Sequence, residues 1–141
     1  MATFQKFQSF VEALAEKKHD LGSDTLKVYL TNDTPSASAD AVKADLAELS
    51  VGTDGYTAGG NTCSITSSAQ TSGVYKLVLA DPATWTSTGT LGPFRYAVLY
   101  NDTATNDELI GYWDYGISVT LANGETFIVD FDPTTGVLTL T

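Results

Sequence analysis

The sequence holds a single cysteine, Cys63, and a single histidine, His19. One cysteine excludes an intrachain disulfide framework and any zinc site built on cysteine ligands. One histidine excludes a multi-histidine metal centre, and it leaves Cys63 without a base in its own element to make it a nucleophile. Basic residues are also scarce, 7 against 17 acidic ones, for a net charge of −10. That balance argues against nucleic acid or an anionic membrane as partner, since both require a basic footprint. No apolar run approaches the roughly 18 residues of a membrane span. The start, Met1-Ala2-Thr3-Phe4-Gln5-Lys6, lacks the basic end, apolar stretch and cleavage site of a signal peptide, so the expectation is a soluble chain that is not exported by that route. No internal repeat is visible.

What remains suits one domain spanning 1–141, long enough to bury a core without a disulfide or a metal. Charged residues make up only 17%, and 21 threonines with 11 serines fill the gap, which is a β-rich and neutral-polar signature. Residues 4–19 place Phe4, Phe7, Val11 and Leu14 at helical spacing, with Phe10 beside them. The spacing predicts an amphipathic helix with Thr3 as N-cap, Lys17 and Lys18 at its negative end and Gly22 at the stop. Its phenylalanine stripe must pack on this chain's own sheet or on another subunit.

From 25 to 141 the chain reads as a β body. Leu26, Val28 and Leu30 alternate with polar neighbours. Ala41 to Leu49 reads as a short helix, and 52–60 as a loop, because glycines at such density mark positive φ or close backbone approach. Further strands are expected at 62–66, 74–80, 94–100, 109–115, 117–121, 126–131 and 137–140. Asn123-Gly124, between Leu121 and Phe127, is the strongest hairpin signal. About eight strands with turn chemistry between them predict an antiparallel β-sandwich or barrel-like fold. Two strands are apolar on both faces, which predicts central strands covered on both sides. In the first, Phe94, Tyr96, Val98 and Tyr100 should oppose Ala97 and Leu99. In the second, Leu109, Trp113 and Tyr115 should oppose Ile110 and Tyr112. One cover is the facing sheet, and the other is the N-terminal helix or a neighbouring subunit.

No arrangement of residues for catalysis, metal binding or a cofactor emerges. His19 reads as structural or exposed, and Cys63, alternating with Ile65, as a small buried hydrophobe. Asp114 lies between Trp113 and Tyr115, where aromatics flanking an acid could mark a sugar site or simply a core strand with one outward acid. The run from Asn101 to Glu108 is rich in oxygen ligands but lacks the central glycine and terminal glutamate of a calcium loop, so it reads as turn chemistry.

Several segments carry a resemblance that residue types alone do not. They are Leu21-Gly22-Ser23-Asp24-Thr25-Leu26-Lys27-Val28, Gly55-Tyr56-Thr57-Ala58-Gly59-Gly60-Asn61 and Thr71-Ser72-Gly73-Val74-Tyr75-Lys76-Leu77. To these are added Gly92-Pro93-Phe94-Arg95-Tyr96-Ala97-Val98-Leu99-Tyr100-Asn101-Asp102, the stretch from Leu109 to Gly116, the stretch from Leu121 to Phe127, and the closing Gly136-Val137-Leu138-Thr139-Leu140. Over nearly its whole length the chain resembles a family of small virion proteins of tailed bacteriophages. The resemblance implies a head decoration (cement) protein on the outer surface of the phage head, made in the host cytoplasm, with the major capsid protein as partner. It supplies no catalytic residue. A symmetric shell further implies a homo-oligomer, trimer before dimer. Contact candidates are the loops at 52–60 and 81–93 and the residues ahead of the helix, with Phe4, Gly55, Tyr56, Trp85 and Tyr112 as named positions. A tail-associated or fibre-linking protein is the alternative. A surface carbohydrate-binding module using Trp85 or the aromatics from Tyr112 to Tyr115 is a third reading.

Overall fold

The structure is a computed structural model that describes residues 2–49 and 54–141. It is mainly β, with several antiparallel sheets and one short helix, in a sandwich-like arrangement. The elements run β1 (Gln5–Lys6), α1 (Ser9–Ala15), β2 (Leu26–Thr31), a 3-10 turn (Lys43–Asp45), β3 (Asn61–Cys63), β4 (Ile65–Thr71), β5 (Val74–Leu79), β6 (Trp85–Thr86), β7 (Leu91–Asn101), β8 (Leu109–Leu121), β9 (Thr126–Phe127) and β10 (Leu138–Leu140). One sheet has the order β1-β8-β7-β2-β3, a second β10-β5-β4, and β6 pairs with β9. No helix among the described residues is long and apolar enough to cross a membrane.

The long hairpin β7–β8 is the wall between two cores. On one side lie Leu26, Val28, Leu30, Ala97, Leu99 and Ile110, covered by Leu77 and Leu79 of the second sheet and by Phe10 of the helix. On the other lie Tyr29, Tyr96, Val98, Tyr100, Leu109 and Tyr112, covered by Phe7 and Leu46. Both faces are therefore covered from within the chain, as the two-sided apolar pattern required.

The face assignment differs from simple alternation. Phe94 joins the core of Ala97 and Leu99 rather than that of Tyr96, at a point where the β7–β8 ladder is irregular. A second shift, between Leu99 and Tyr100, sets Leu109 with Tyr112 and Ile110 with Trp113. That shift puts an extra residue in β8, and an extra residue moves the side chains beyond it on its own strand to the other face.

The N-terminal arm also departs from expectation. The helix is seven residues, Ser9–Ala15, not 4–19. Gln5 and Lys6 are extended and pair with Tyr112 and Gly111 of β8, so Phe4 and Phe7 are carried by a strand and a turn. Thr3 caps nothing, since the N-cap position is Gln8. Phe7 and Phe10 are fully buried in different cores, while Val11, expected on the buried stripe, is 54% exposed. The helix stops at Lys17 and not at Gly22. Lys17 adopts φ 64, and the Lys17 and Lys18 N–H groups donate to the carbonyls of Leu14 and Ala13 at 3.2 and 2.8 Å. That is a Schellman closure with lysine in the usual glycine position.

Two further expectations are corrected. Between 41 and 49 only the single 3-10 turn forms, because the Asp45 carboxylate accepts the N–H groups of Ala41 and Val42 while Val42 and Glu48 bridge to Glu108 and Thr31. Asn123-Gly124 does form a turn, with Gly124 at φ 87 and the Glu125 N–H on the Ala122 carbonyl. The strand after it, however, pairs with β6 and not with β8. Exchange of backbone hydrogen bonds between Ser87 and the turn (Ser87 N–H to Glu125, Gly124 N–H to Ser87) draws β9 away.

Candidate functional site

One concavity is an apolar cleft of about 330 Å³, smaller than two more open ones of about 480 and 450 Å³. It lies between the N-terminal arm, the β7–β8 wall and the chain from 127 to 137. Phe4, Trp113, Phe127 and Phe131 line it, with Tyr115 and Ile128 at its mouth. The rings form two groups: Phe4 to Trp113 is 5.1 Å between centroids and Trp113 to Phe131 5.4 Å, while Tyr115 to Phe127 is 5.6 Å. Such pairs favour tilted and edge contacts, which all three display.

Local sequence explains why this cleft exists. Gly111 leaves room for the Phe4 ring, and a Cβ there would also stand 2.8 Å from the Gln5 carbonyl. The Asp81 carboxylate accepts the Phe131 N–H at 2.7 Å and holds that ring inward. The Asp132 carboxylate accepts the N–H groups of Thr134 and Thr135 at 2.7 and 3.2 Å and closes the turn after it. These bonds hold the Asp132 carboxyl below the usual carboxylate range. Asp130 and Asp132 thus set a negative rim on an aromatic floor.

Exposed apolar side chains stand at the cleft and two residues beyond it on β8. Tyr115, Ile117 and Ile128 are 56%, 65% and 58% exposed. In β8 the segment from Asp114 to Val119 spans what β7 covers from Tyr96 to Phe94, so residues 115–118 bulge outward. Ile117, on that bulge, is the most exposed large apolar side chain among the described residues.

Asp114 is not a free acid. Arg95 donates to both of its oxygens at 2.7 and 2.8 Å, and Gly116 N–H adds a third bond at 2.8 Å. The guanidinium holds the carboxyl below the ordinary range. A proton donor for glycoside cleavage needs the opposite shift.

The named contact positions divide. Phe4 lines the cleft. Tyr56, Trp85 and Tyr112 are instead core residues, 4%, 2% and 7% exposed. Tyr56 donates its hydroxyl to Glu48 at 2.9 Å and accepts the Leu30 N–H at 3.1 Å, and burial pushes its phenol pKa up. The Tyr112 hydroxyl donates to Gln5 Oε1 at 3.0 Å, fastening β1. Gly55 is exposed but packs against the Thr86 backbone. Gly52 and Thr53 of the same expected loop lie outside the described residues. The carbohydrate reading therefore loses Trp85 and Tyr112, and only Trp113 and Tyr115 reach the cleft.

The oxygen-rich stretch after β7 is organised from inside. Buried Asn101 donates through Nδ2 to His19 Nδ1 at 3.1 Å and to Asp24 at 2.6 Å, and its Oδ1 accepts the N–H groups of Thr103 and Ala104. Among the described residues no group of three or more His, Cys, Asp and Glu side chains is placed to hold a metal ion. His19 is buried against Phe10, and burial lowers its pKa. Cys63 is 2% exposed, with its thiol pushed up to about 12 by burial. Both read as structural.

Sequence reasoning missed the cleft walls Phe127 and Phe131. The signal was present: Phe127, Val129 and Phe131 alternate inward, but the strand stops pairing after Phe127. No known protein family, curated protein or solved structure matches this chain.

Proposed function

We propose that this chain is a structural protein of a tailed-bacteriophage virion, a head decoration protein that binds the outside of the assembled shell. The observation that supports the reading best is the aromatic cleft with its apolar surround of Tyr115, Ile117 and Ile128 on an otherwise acidic, polar chain. An exposed apolar patch rimmed by polar groups is characteristic of a protein–protein surface. Phe4, in the arm that the sequence offers as a contact candidate, lines that cleft. At net charge −10 the chain is repelled by packaged DNA, which favours an outer position. Its effect is differential: it stabilises the assembled shell because it binds that state and not free capsid subunits. Shells present threefold and twofold positions, so a trimer or a dimer fits the geometry of attachment.

The test is copy number and position in purified particles by mass spectrometry and electron microscopy. Copies of the same order as the major capsid protein, on the head exterior, support decoration. A few copies confined to the tail overturn it in favour of the tail-associated reading. On the head, Ile117→Asp combined with Ile128→Asp should abolish binding while leaving the fold intact. Binding should change little between low and moderate salt, because apolar contact is not screened.

A further inference from the structure

An unpaired strand edge offers backbone donors and acceptors to any passing strand, and proteins blunt such edges with short strands, charges, proline or bulges. Most edges here are blunted. β1 has two residues and carries Lys6, β3 and β10 have three each, and β6 and β9 two each. Past the two residues that β1 covers, β8 is broken by the outward bulge at 115–118.

β4 is different. It has seven residues, pairs with β5 on one side only, and has no strand on its other side among the described residues. One register shift, between Ile65 and Ser67, leaves an unbroken ladder from Ser67 to Thr71. Thr66, Ser67, Ala69, Gln70 and Thr71 are exposed, small or neutral, and none is proline. The surrounding sequence holds no charged residue between Asp54 and Lys76, in a chain of net charge −10.

We infer that the β4 edge joins two copies of this chain into a twofold dimer, with the sheet β10-β5-β4 continuing into the same sheet of the partner. Electrostatics selects the occupant. Two molecules of charge −10 repel at most faces, and β4 carries no charged side chain of its own, its one charged cross-strand neighbour being Lys76 opposite Ala69. Antiparallel pairing about a twofold axis is self-complementary, since each strand supplies what its copy lacks. The side chains then set opposite one another are Thr, Ser, Ala and Gln, so no like charges meet. The inference favours dimer over trimer, and it stands apart from shell binding, which uses the cleft.

Sedimentation equilibrium and light scattering on the full chain test it. The expected mass is twice 14.9 kDa, falling to 14.9 kDa on dilution. Thr71→Lys, and separately Ser67→Lys, which face Val74 and Val78 within the chain, should weaken the dimer at least about tenfold by placing like charges across the axis. Circular dichroism should confirm that both variants fold. Amide exchange on the wild type guards against a misfolded variant: residues 67–71 should exchange more slowly at concentrations where the dimer forms. A wild-type monomer up to about 1 mM, the range of negligible affinity, overturns the inference. So does a dimer indifferent to both lysines, or protection of β4 that appears only on the particle.

Discussion

Truncating Phe7 to alanine discriminates sharply between two ways of building the N-terminal arm. A helix over 4–19 would bury Phe7 and Val11 on one stripe, and both truncations would then destabilise. In the structure Phe7 is 0% exposed, with its ring 5.1 Å from Tyr112, while Val11 is 54% exposed. Removing a buried phenylalanine costs about 3–5 kcal/mol, the transfer term plus the cavity left behind. The cavity here is slow to collapse, because Tyr112 and Leu109 belong to the β7–β8 wall and cannot follow the missing ring. For a domain of this size each kcal/mol moves Tm by roughly 2–4 °C, so the expected loss is about 6–20 °C. Val11→Ala removes little buried surface and improves helix propensity by up to about 0.7 kcal/mol, so its effect should be near zero or slightly stabilising. Paired urea and thermal unfolding of the two variants decides the matter. A Val11→Ala loss as large as that of Phe7→Ala, or a Phe7→Ala loss under about 1 kcal/mol, refutes the strand-turn-helix arm.

Gly111→Ala should expel Phe4 from the cleft and loosen β1, seen as altered Trp113 fluorescence and faster exchange at Gln5 and Lys6; an unchanged spectrum would contradict the close packing of Phe4 on Gly111. Asn101→Ala leaves the His19 Nδ1 atom, the Asp24 carboxylate and two loop N–H groups without their partner, and should cost about 1–3 kcal/mol in denaturant unfolding. His19 has its pKa lowered chiefly by burial, against the upward pull of Glu108 and Asp24, with Lys18 adding to the lowering. The unfolded chain therefore takes up the proton first, so this stability is present above pH 6.5 and is lost as pH falls below it. His19→Gln should flatten that slope, while the carboxylates whose pKa values are lowered keep theirs at lower pH; an identical slope in both proteins would remove His19 as its source.

The β body was legible because its information is local. Alternation at Leu26, Val28 and Leu30 and the two-faced hydrophobicity of 94–100 and 109–115 record burial directly. What alternation cannot record is where a ladder gains a residue. The sides of Phe94 and Leu109 were therefore misassigned, since the shifts beside them are set by cross-strand fit. The arm misled for a related reason. Phe4, Phe7 and Phe10 recur every three residues, as on a helix, yet they serve the cleft and two cores, and the backbone takes its hydrogen bonds from the β8 edge instead. The cleft was half legible: Phe4 was named, but its other walls come from segments more than a hundred residues away. Tyr56, Trp85 and Tyr112 are aromatics near loops or an acid, which suggests contact, yet large aromatics are more often structural than exposed.

The shared wall has a consequence for how the molecule comes apart. Because β7 and β8 contribute side chains to both cores, neither core can lose its packing without stripping one face of the other's foundation. The two hydrophobic layers therefore melt as one cooperative unit, and the amides of β7 and β8 become the slowest to exchange with solvent. Assembly carries the converse burden. β2 must wait for β7, some seventy positions further along, before its ladder can close, so the chain pays for its single transition with slow folding.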